Sequence, residues 1–182
     1  MGVFAVIDTE TNWDDRVMSI GTVLGDAETF RPVAVKYHIL TPEYLAGGMY
    51  EHMLLLDRLR PAPCSRKQAM DELRRWFSEN GVTSVFAYNA CFDRGHLPEL
   101  SGLDWYDILR LAAYRQYNDK IPACADCYAT GRLKRSYGVE PMLRLLSWRG
   151  DYRETHNALC DALDELEIMR LLGHPVGDYP RL

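Results

Sequence analysis

A short apolar run near the start of the chain, residues 3–7 (VFAVI), leads directly into Asp8-Thr9-Glu10. A continuous apolar and β-branched run of this length is typical of a central strand that is buried on both faces of a sheet. Side chains two residues apart on a strand point to the same side, so Asp8 and Glu10 project together from the end of the strand. The run therefore predicts a covered sheet with two carboxylates at its edge.

Two further stretches, residues 17–24 and 33–40, are rich in β-branched residues. The second alternates apolar side chains on one face, which is typical of a half-buried strand. Gly25-Asp26 lies between the two stretches and favours a turn. Three consecutive strands joined by short connections predict an antiparallel meander.

The next part of the chain predicts helix and then alternates between strand and helix. Ser65 and Gln68 form a capping-box pattern, apolar residues follow at helical spacing, and Asn80-Gly81 ends the helix. Residues 83–88 predict a strand, residues 92–100 a short helix, and residues 105–108 a short last strand. Together the elements indicate an α/β mixed five-stranded sheet flanked by helices.

The remainder, from Asp107 onward, has a mostly helical pattern, apart from a loop at residues 122–134. It finishes with a strong helix over residues 158–172. The buried stripe of that helix is predicted to comprise Leu159, Leu163, Leu166 and Met169.

Length and composition favour one domain over residues 1–182, since 47% of the residues are apolar and 26% are charged. No apolar run is long enough to span a membrane. Because no signal-peptide pattern precedes the first apolar run, we expect a cytoplasmic protein, and the five cysteines are expected to be reduced thiols. The formal net charge of −5 argues against non-specific binding of long duplexes, although it does not exclude an enzyme that grips a few nucleotides.

Three short segments carry the candidate chemistry. Asp8 and Glu10 repel each other unless a cation compensates their charge. Asp93 follows the strand at 83–88 in the first turn of a helix, where it could also serve only to favour the helix dipole. His156 and Asp161 are five residues apart, about 140° around a helix, and converge only if His156 lies in the preceding loop. The alternative places His156 on the surface and Asp161 on a solvated acidic face with Asp164 and Glu165.

Taken together, residues 4–11 (FAVIDTET), 87–93 (AYNACFD) and 156–162 (HNALCDA) resemble the three motifs of the DEDDh family of 3′→5′ exonucleases. This family includes the proofreading subunits of bacterial DNA polymerases, RNase T and oligoribonuclease. The resemblance runs from Phe4 to about Leu172. It departs from the family at Thr11-Asn12-Trp13, where many members have Thr-Gly, and at Tyr88, where a histidine is frequent.

The resemblance implies a ribonuclease H-like fold and a two-metal phosphodiesterase that releases nucleoside 5′-monophosphates. It assigns two divalent cations to Asp8, Glu10, Asp93 and Asp161, and the role of general base to His156. Ligands that are all oxygens suit Mg²⁺ or Mn²⁺. The residues that it assigns to the substrate are Thr9, Thr11, Asn89 and Phe92.

The expected partners are single-stranded DNA or RNA 3′ ends or short oligonucleotides, and relatives such as RNase T also allow a homodimer. Two rival functions remain: a non-catalytic nucleic-acid-binding or scaffold protein that keeps the fold, and an internally cutting nuclease of the RNase H type. The histidine before the aspartate in the third motif favours the exonuclease.

Three other features have both a functional and an ordinary interpretation. Cys124 and Cys127 have the spacing of half a zinc site, but no second pair follows. Trp13 either stacks on a base or packs on its own domain. The basic stretch either forms a positive rim for the incoming strand or covers solvated faces; it comprises Arg132, Lys134, Arg135, Arg144 and Arg149.

Overall fold

A computed structural model of the protein describes residues 2–56 and 58–182, and in these ranges the strands form one five-stranded sheet. The strand order is β3-β2-β1-β4-β5, with antiparallel pairing among the first three strands of the chain and parallel pairing from β1 to β4 and β5. The strands are β1 (Val3–Thr11), β2 (Val17–Asp26), β3 (Pro32–Ile39), β4 (Ser84–Ala87) and β5 (Asp104–Asp107). The predicted mixed sheet is confirmed.

The ends of β1 and β2 differ from the prediction by more than one residue. β1 continues to Thr11, because its pairing with β2 extends through Asp8 and Glu10. Those carboxylates therefore lie within the strand and not beyond it. The turn predicted at Gly25-Asp26 lies instead at residues 27–29, where the Asp26 carboxylate accepts the backbone N–H of Thr29 at 2.8 Å.

The helices are α1 (Arg66–Glu79), α2 (Cys91–His96), α3 (Leu109–Ala112), α4 (Val139–Ser147) and α5 (Ala158–Leu172). Helix α1 begins with the predicted capping box: the Ser65 hydroxyl accepts the Gln68 backbone N–H, and the Gln68 side chain accepts the Ser65 N–H. The helix predicted at 92–100 is divided into α2 and a 3-10 turn, Pro98–Leu100.

Residues 113–138 form an irregular segment without a helix, so the prediction of a mostly helical chain from Asp107 onward is wrong for residues 113–121 and 135–138. Two local features accompany the absence of helix there, a side-chain hydrogen bond and a glycine with a positive φ. The Asn118 side chain donates to the Ala112 carbonyl at 2.7 Å, at the end of α3, and Gly131 has a φ of +86°. The loop predicted at 122–134 lies inside this irregular segment, which includes an isolated bridge between Tyr114 and Arg132.

Side chains alternate between two cores, one on each face of the sheet. Phe4 and Val6 point toward α4 and α5, whereas Ala5 and Ile7 point toward α1. Helix α5 has the predicted bounds, and its stripe packs on the first of these faces. Leu159, Leu166 and Met169 are buried as predicted, whereas Leu163 is half-buried at the margin.

Candidate active site

Strand β1 presents Asp8 and Glu10 on the face of the sheet that α5 covers. Both residues have the same parity along the strand as Phe4 and Val6, which pack into the α4–α5 core. The carboxylates therefore continue an apolar row and lie beside the start of α5. This placement explains how a motif near the amino terminus meets one that is about 150 residues later.

A glycine in β2 allows α5 to lie close against the sheet at this point. Gly21 pairs with Asp8 across the strands and points to the same face. A Cβ at Gly21 would lie 2.1 Å from the carbonyl carbon and oxygen of Ala158, the first residue of α5. The backbone of the helix thus occupies the space that any other side chain would need, directly beside Asp8.

Asn157 fixes the start of α5 and is fully buried. Its Oδ1 accepts the backbone N–H groups of Leu159 and Cys160 at 3.2 and 3.3 Å, which caps the helix. Its Nδ2 donates to the Tyr37 hydroxyl at 3.0 Å and to the Met53 carbonyl at 2.7 Å. One side chain therefore ties the helix to β3 and to the segment after it.

His156 precedes this cap and lies in the loop, as the convergence of the third motif requires. Its φ of +55° is in the left-handed region, which turns the chain before α5 begins. Potential ligand atoms of Glu10, His156 and Asp161 all lie within 4.8 Å of one another. Within residues 2–56 and 58–182, this is the one such group of at least three histidine, cysteine or acidic side chains.

Asp93 joins the cluster from the first turn of α2, where it is 2% exposed. The Thr9 hydroxyl donates to its Oδ1 at 2.7 Å, which connects β1 with α2 across the sheet edge. The other predicted substrate residues lie around this point. Thr11 ends β1, Phe92 is 41% exposed and packs against His96, and Asn89 is exposed with a φ of +64°.

Burial and mutual repulsion raise the pKa values of the carboxyl groups of the cluster and so favour their protonated forms. Burial, followed by the charges of Asp93, Asp161 and Glu10, raises the pKa of Asp8 well above its usual value. Burial is also the main cause that raises the pKa of Glu10 and of Asp161 to about 8, and that of Asp93 to about 7. Asp8 Oδ2 and Asp161 Oδ1 are buried and have no hydrogen-bond partner among residues 2–56 and 58–182. Oxygen donors in this condition fit hard divalent cations.

His156 has an environment that favours the neutral imidazole. Partial burial lowers its pKa, against a smaller opposing effect of the Glu140 charge. The ring of Tyr50 stacks on the imidazole, with centroids 3.9 Å apart and planes 12° from parallel. A neutral, oriented imidazole at the edge of an acidic cluster can accept a proton near neutral pH.

Three residues of the site were missed by sequence reasoning. Tyr50 gives no signal, because it lies in an irregular segment and meets His156 only in the folded chain. Glu154 is half-buried, and its charge contributes to the raised pKa of Glu10 and of Asp161. Glu165 could have been found, since it follows Asp161 by four residues on the same helix face.

The alternative of a solvated acidic face on α5 is wrong for two of its three acids. Asp161 is 3% exposed and Glu165 is 2% exposed, whereas Asp164 is half-buried. Burial raises the pKa of Glu165 well above its usual value, and the nearby charges of Asp8 and Asp93 raise it further. Glu165 Oε2 has no hydrogen-bond partner.

The remaining candidates from the sequence are spread around the molecule. Trp13 is 68% exposed. Cys124 is exposed and Cys127 is half-buried. In the basic stretch, Lys134 pairs with Asp126 at 2.9 Å, and Arg144 pairs with an acidic residue one turn away on α4. In the part of the chain that the structure describes, no helix has both the length and the apolar character needed to cross a membrane.

The chain is similar in fold to solved structures of 3′ exonucleases. The nuclease domain of 3′hExo, a DEDDh family member, bound to rAMP, has a TM-score of 0.67 at 14% identity, covering 99% of this chain and 96% of that one. E. coli exonuclease I in complex with a dT13 oligonucleotide has a TM-score of 0.65 at 13% identity, covering 98% and 42%. Exonuclease I from Methylocaldum szegediense has a TM-score of 0.61 at 18% identity, covering 94% and 40%.

These likenesses establish the fold. The protein has the fold of the DEDDh 3′ exonucleases, which confirms the predicted ribonuclease H-like architecture. The chain spans less than half the length of the two exonuclease I chains. No model of a known protein family matches the sequence, and no curated protein matches it significantly.

Replacing Glu165 with glutamine is expected to improve stability selectively at higher pH. The unfolded carboxyl has a pKa of about 4.3, whereas burial raises the folded value. Below the unfolded pKa the acid is neutral in both states. As the pH rises toward the folded pKa, the unfolded chain loses its proton first, so wild-type stability falls. In urea unfolding with EDTA, the gain in unfolding free energy of Glu165→Gln over wild type should therefore be larger at pH 8 than at pH 5.

The matched control is Glu79→Gln at the exposed end of α1. It should give the same difference from wild type at both pH values. A Glu165→Gln variant whose difference from wild type is also independent of pH would show that the buried acid titrates normally.

Proposed function

We propose that the protein is a metal-dependent 3′→5′ exonuclease that releases nucleoside 5′-monophosphates from single-stranded or short nucleic acid. The observation that carries this proposal is the convergence of Glu10, His156 and Asp161 within 4.8 Å, beside Asp8 and Asp93. The shared fold with 3′ exonucleases supports it. The five residues of the resemblance therefore lie near one another at the carboxyl end of β1, the central strand of the sheet.

Asp8, Glu10, Asp93 and Asp161 would hold the cations, and their oxygen donors suit Mg²⁺ or Mn²⁺. Bound divalent cations supply positive charge that stabilises the charge developing on the phosphate oxygens. The buried oxygens of Asp8 and Asp161 that lack a partner support this assignment. The hydroxyl of Thr9 holds the Asp93 carboxylate in a fixed orientation through its 2.7 Å hydrogen bond.

His156 acts as the general base and takes a proton from the attacking water at a ring nitrogen. Its lowered pKa keeps that nitrogen free of a proton near neutral pH. Tyr50 orients the imidazole by stacking, and Asn157 fixes the backbone on its carboxyl side. The protonated imidazole then returns its proton to solvent through its partly exposed edge.

The terminal nucleotide lies against the end of β1 and the start of α2. In this assignment Thr9 contributes its backbone, because its hydroxyl is engaged by Asp93. Thr11 and Asn89 contribute polar contacts, and the exposed ring of Phe92 shapes the pocket. The net charge of −5 favours a few contacts with a single strand over a long duplex interface.

Parallel digestion of 5′-labelled single-stranded DNA and RNA tests the proposal. With Mg²⁺ or Mn²⁺ we expect a ladder that shortens from the 3′ end, with nucleoside 5′-monophosphates as products. EDTA should abolish cleavage, and so should Asp8→Asn, which removes a ligand charge from the cluster. Titration calorimetry with Mg²⁺ measures cation binding separately from turnover.

Two results would contradict the proposal. Cation binding without cleavage of either polymer would indicate a non-catalytic nucleic-acid-binding protein that retains the fold. Fragments from internal positions would indicate an endonuclease. The structural neighbours include complexes with rAMP, with DNA oligonucleotides and with a histone mRNA stem-loop, so both polymers belong in the assay.

A further inference from the structure

A pocket of about 390 Å³ opens beside the candidate active site and shares only Asn89 with the residues assigned above to catalysis and to the terminal nucleotide. One wall consists of Tyr88 and Asn89 from the loop between β4 and α2, and of Cys91, the first residue of α2, shortly before Asp93. The Asn89 backbone N–H donates to the Asp107 carboxylate at 3.0 Å, which fixes this wall. The second of the three sequence motifs therefore lines the pocket and also contributes Asp93 to the acidic cluster.

The opposite wall belongs to the irregular segment 113–138, which is held in place by backbone contacts. Leu133 N–H donates to the Ala113 carbonyl at 2.9 Å, and Arg115 N–H donates to the Gly131 carbonyl at 3.0 Å. The Tyr88 hydroxyl donates to the Tyr137 carbonyl and so joins the two walls. The segment is thus a built side of the pocket.

The lining combines aromatic rings with arginine side chains. Tyr88, Tyr114 and Tyr137 supply ring surface, and Arg110 and Arg132 supply positive charge. Rings of this kind stack on nucleobases without much dependence on sequence. A volume of about 390 Å³ lies near the lower end of the roughly 300–1,000 Å³ that is usual for small-ligand sites, which suits one nucleotide.

Arg132 carries a charge that no acidic side chain balances within the described residues. Its guanidinium lies 5.0 Å from the ring centre of Tyr128 and 5.2 Å from that of Tyr137, so two rings orient it. The one acid in the lining, Asp107, accepts the backbone N–H groups of Asn89 and Leu109 and lies 3.9 Å from Arg110. In a chain of net charge −5, a guanidinium in this position suits a phosphate.

We propose that this tyrosine–arginine pocket binds a nucleotide of the strand upstream of the scissile phosphodiester, with its base on the tyrosines and its phosphate on Arg132. The inference rests on the proposed function and extends it to the substrate class. An enzyme with this second site prefers single strands of several nucleotides over isolated nucleotide esters. The base must be unpaired to enter the pocket, so paired ends bind poorly.

The test compares two substrates in Arg132→Met, with Arg75→Met on the exposed surface of α1 as the control of equal charge change. The first substrate is a single-stranded hexanucleotide. The second is the 4-nitrophenyl ester of thymidine 5′-monophosphate, which has no upstream nucleotide. We expect Arg132→Met to raise KM for the hexanucleotide about tenfold, because a charge-assisted contact is lost. KM for the ester should change less than twofold, and Arg75→Met should affect neither.

An unchanged hexanucleotide KM, or an equal rise for both substrates, would overturn the inference. Should Arg132→Met melt below wild type, Arg132→Lys provides the second variant, since it keeps the charge. A rise in the hexanucleotide KM that occurs in Arg132→Met but not in Arg132→Lys supports the site. A rise in KM that Arg132→Lys also shows, and that extends to the ester, overturns it.

A binding measurement keeps this inference separate from the proposed function. If wild type cleaves neither substrate, the proposed exonuclease activity fails. Fluorescence anisotropy of the labelled hexanucleotide then decides the pocket on its own. Weaker binding by Arg132→Met than by Arg75→Met supports the site, and equal binding, or none by wild type, overturns it.

Discussion

Replacing His156 with alanine is expected to slow hydrolysis by about 10²–10⁴-fold, the usual contribution of a positioned general base. The wild-type rate should rise with pH as the imidazole loses its proton, with a midpoint below the ordinary value for histidine, because burial lowers its pKa. At a Mg²⁺ concentration that saturates the site at every pH, the variant should lose this limb of the pH profile. Single-turnover kinetics on a labelled oligonucleotide in Mg²⁺ measure both effects.

The geometry allows His156 two roles, general base or cation ligand, because its ligand atom lies within 4.8 Å of those of Glu10 and Asp161. Measuring the Mg²⁺ affinity of variants distinguishes the two roles. If the histidine is a general base and not a ligand, His156→Ala leaves the Mg²⁺ affinity near the wild-type value, whereas Asp161→Asn weakens it. An equal loss of affinity in both variants would make His156 a ligand and contradict its assignment as base. His174→Ala, at the far end of α5, is the control and should behave as wild type.

Replacing Gly21 with alanine is expected to destabilise the fold by more than about 3 kcal/mol, beyond the usual cost of overpacking a core. The new methyl group would lie 2.1 Å from backbone atoms of Ala158, which cannot rotate away as a side chain can. Helix α5 must shift, and Asp161 moves with it. Exonuclease activity should therefore fall together with the urea midpoint.

Gly102→Ala provides a matched comparison, because nothing lies within 4 Å of a Cβ at that position. Its free energy of unfolding should lie within about 0.5 kcal/mol of the wild-type value. Its urea midpoint and its activity should therefore match those of wild type. If Gly21→Ala were as stable as Gly102→Ala, the close approach of α5 to β2 would be wrong.

The parts of the fold that the sequence predicted are those with strong local patterns. The three antiparallel strands, the capping box at Ser65 and the bounds of α5 all follow from periodicity and terminal residues within a few positions. The loop position of His156 follows from its spacing to Asp161, since both can serve one site only if the helix starts after the histidine.

What could not be predicted depends on contacts between distant parts of the chain. The side chain of Asn157 joins Tyr37, 120 positions earlier, and Tyr50 meets His156 without any sequence signal. The sequence likewise does not predict that α5 approaches Gly21. A glycine in a strand indicates a bulge or a close backbone approach, but not which element comes close. Residues 113–121 follow the predicted helical pattern but form no helix, and the Asn118 side chain donates to the Ala112 carbonyl where α3 ends.

The carboxyl groups around Asp8 have raised pKa values, so cation binding in the proposed enzyme would exchange protons for cations. Glu10 and Asp161 have pKa values of about 8 and Asp93 of about 7, so at neutral pH these acids keep a share of their protons until a cation displaces them. Acidification therefore competes directly with Mg²⁺ for the same oxygens. In the proposed enzyme, lower pH should therefore weaken Mg²⁺ binding at a constant magnesium concentration, and each binding event should release protons.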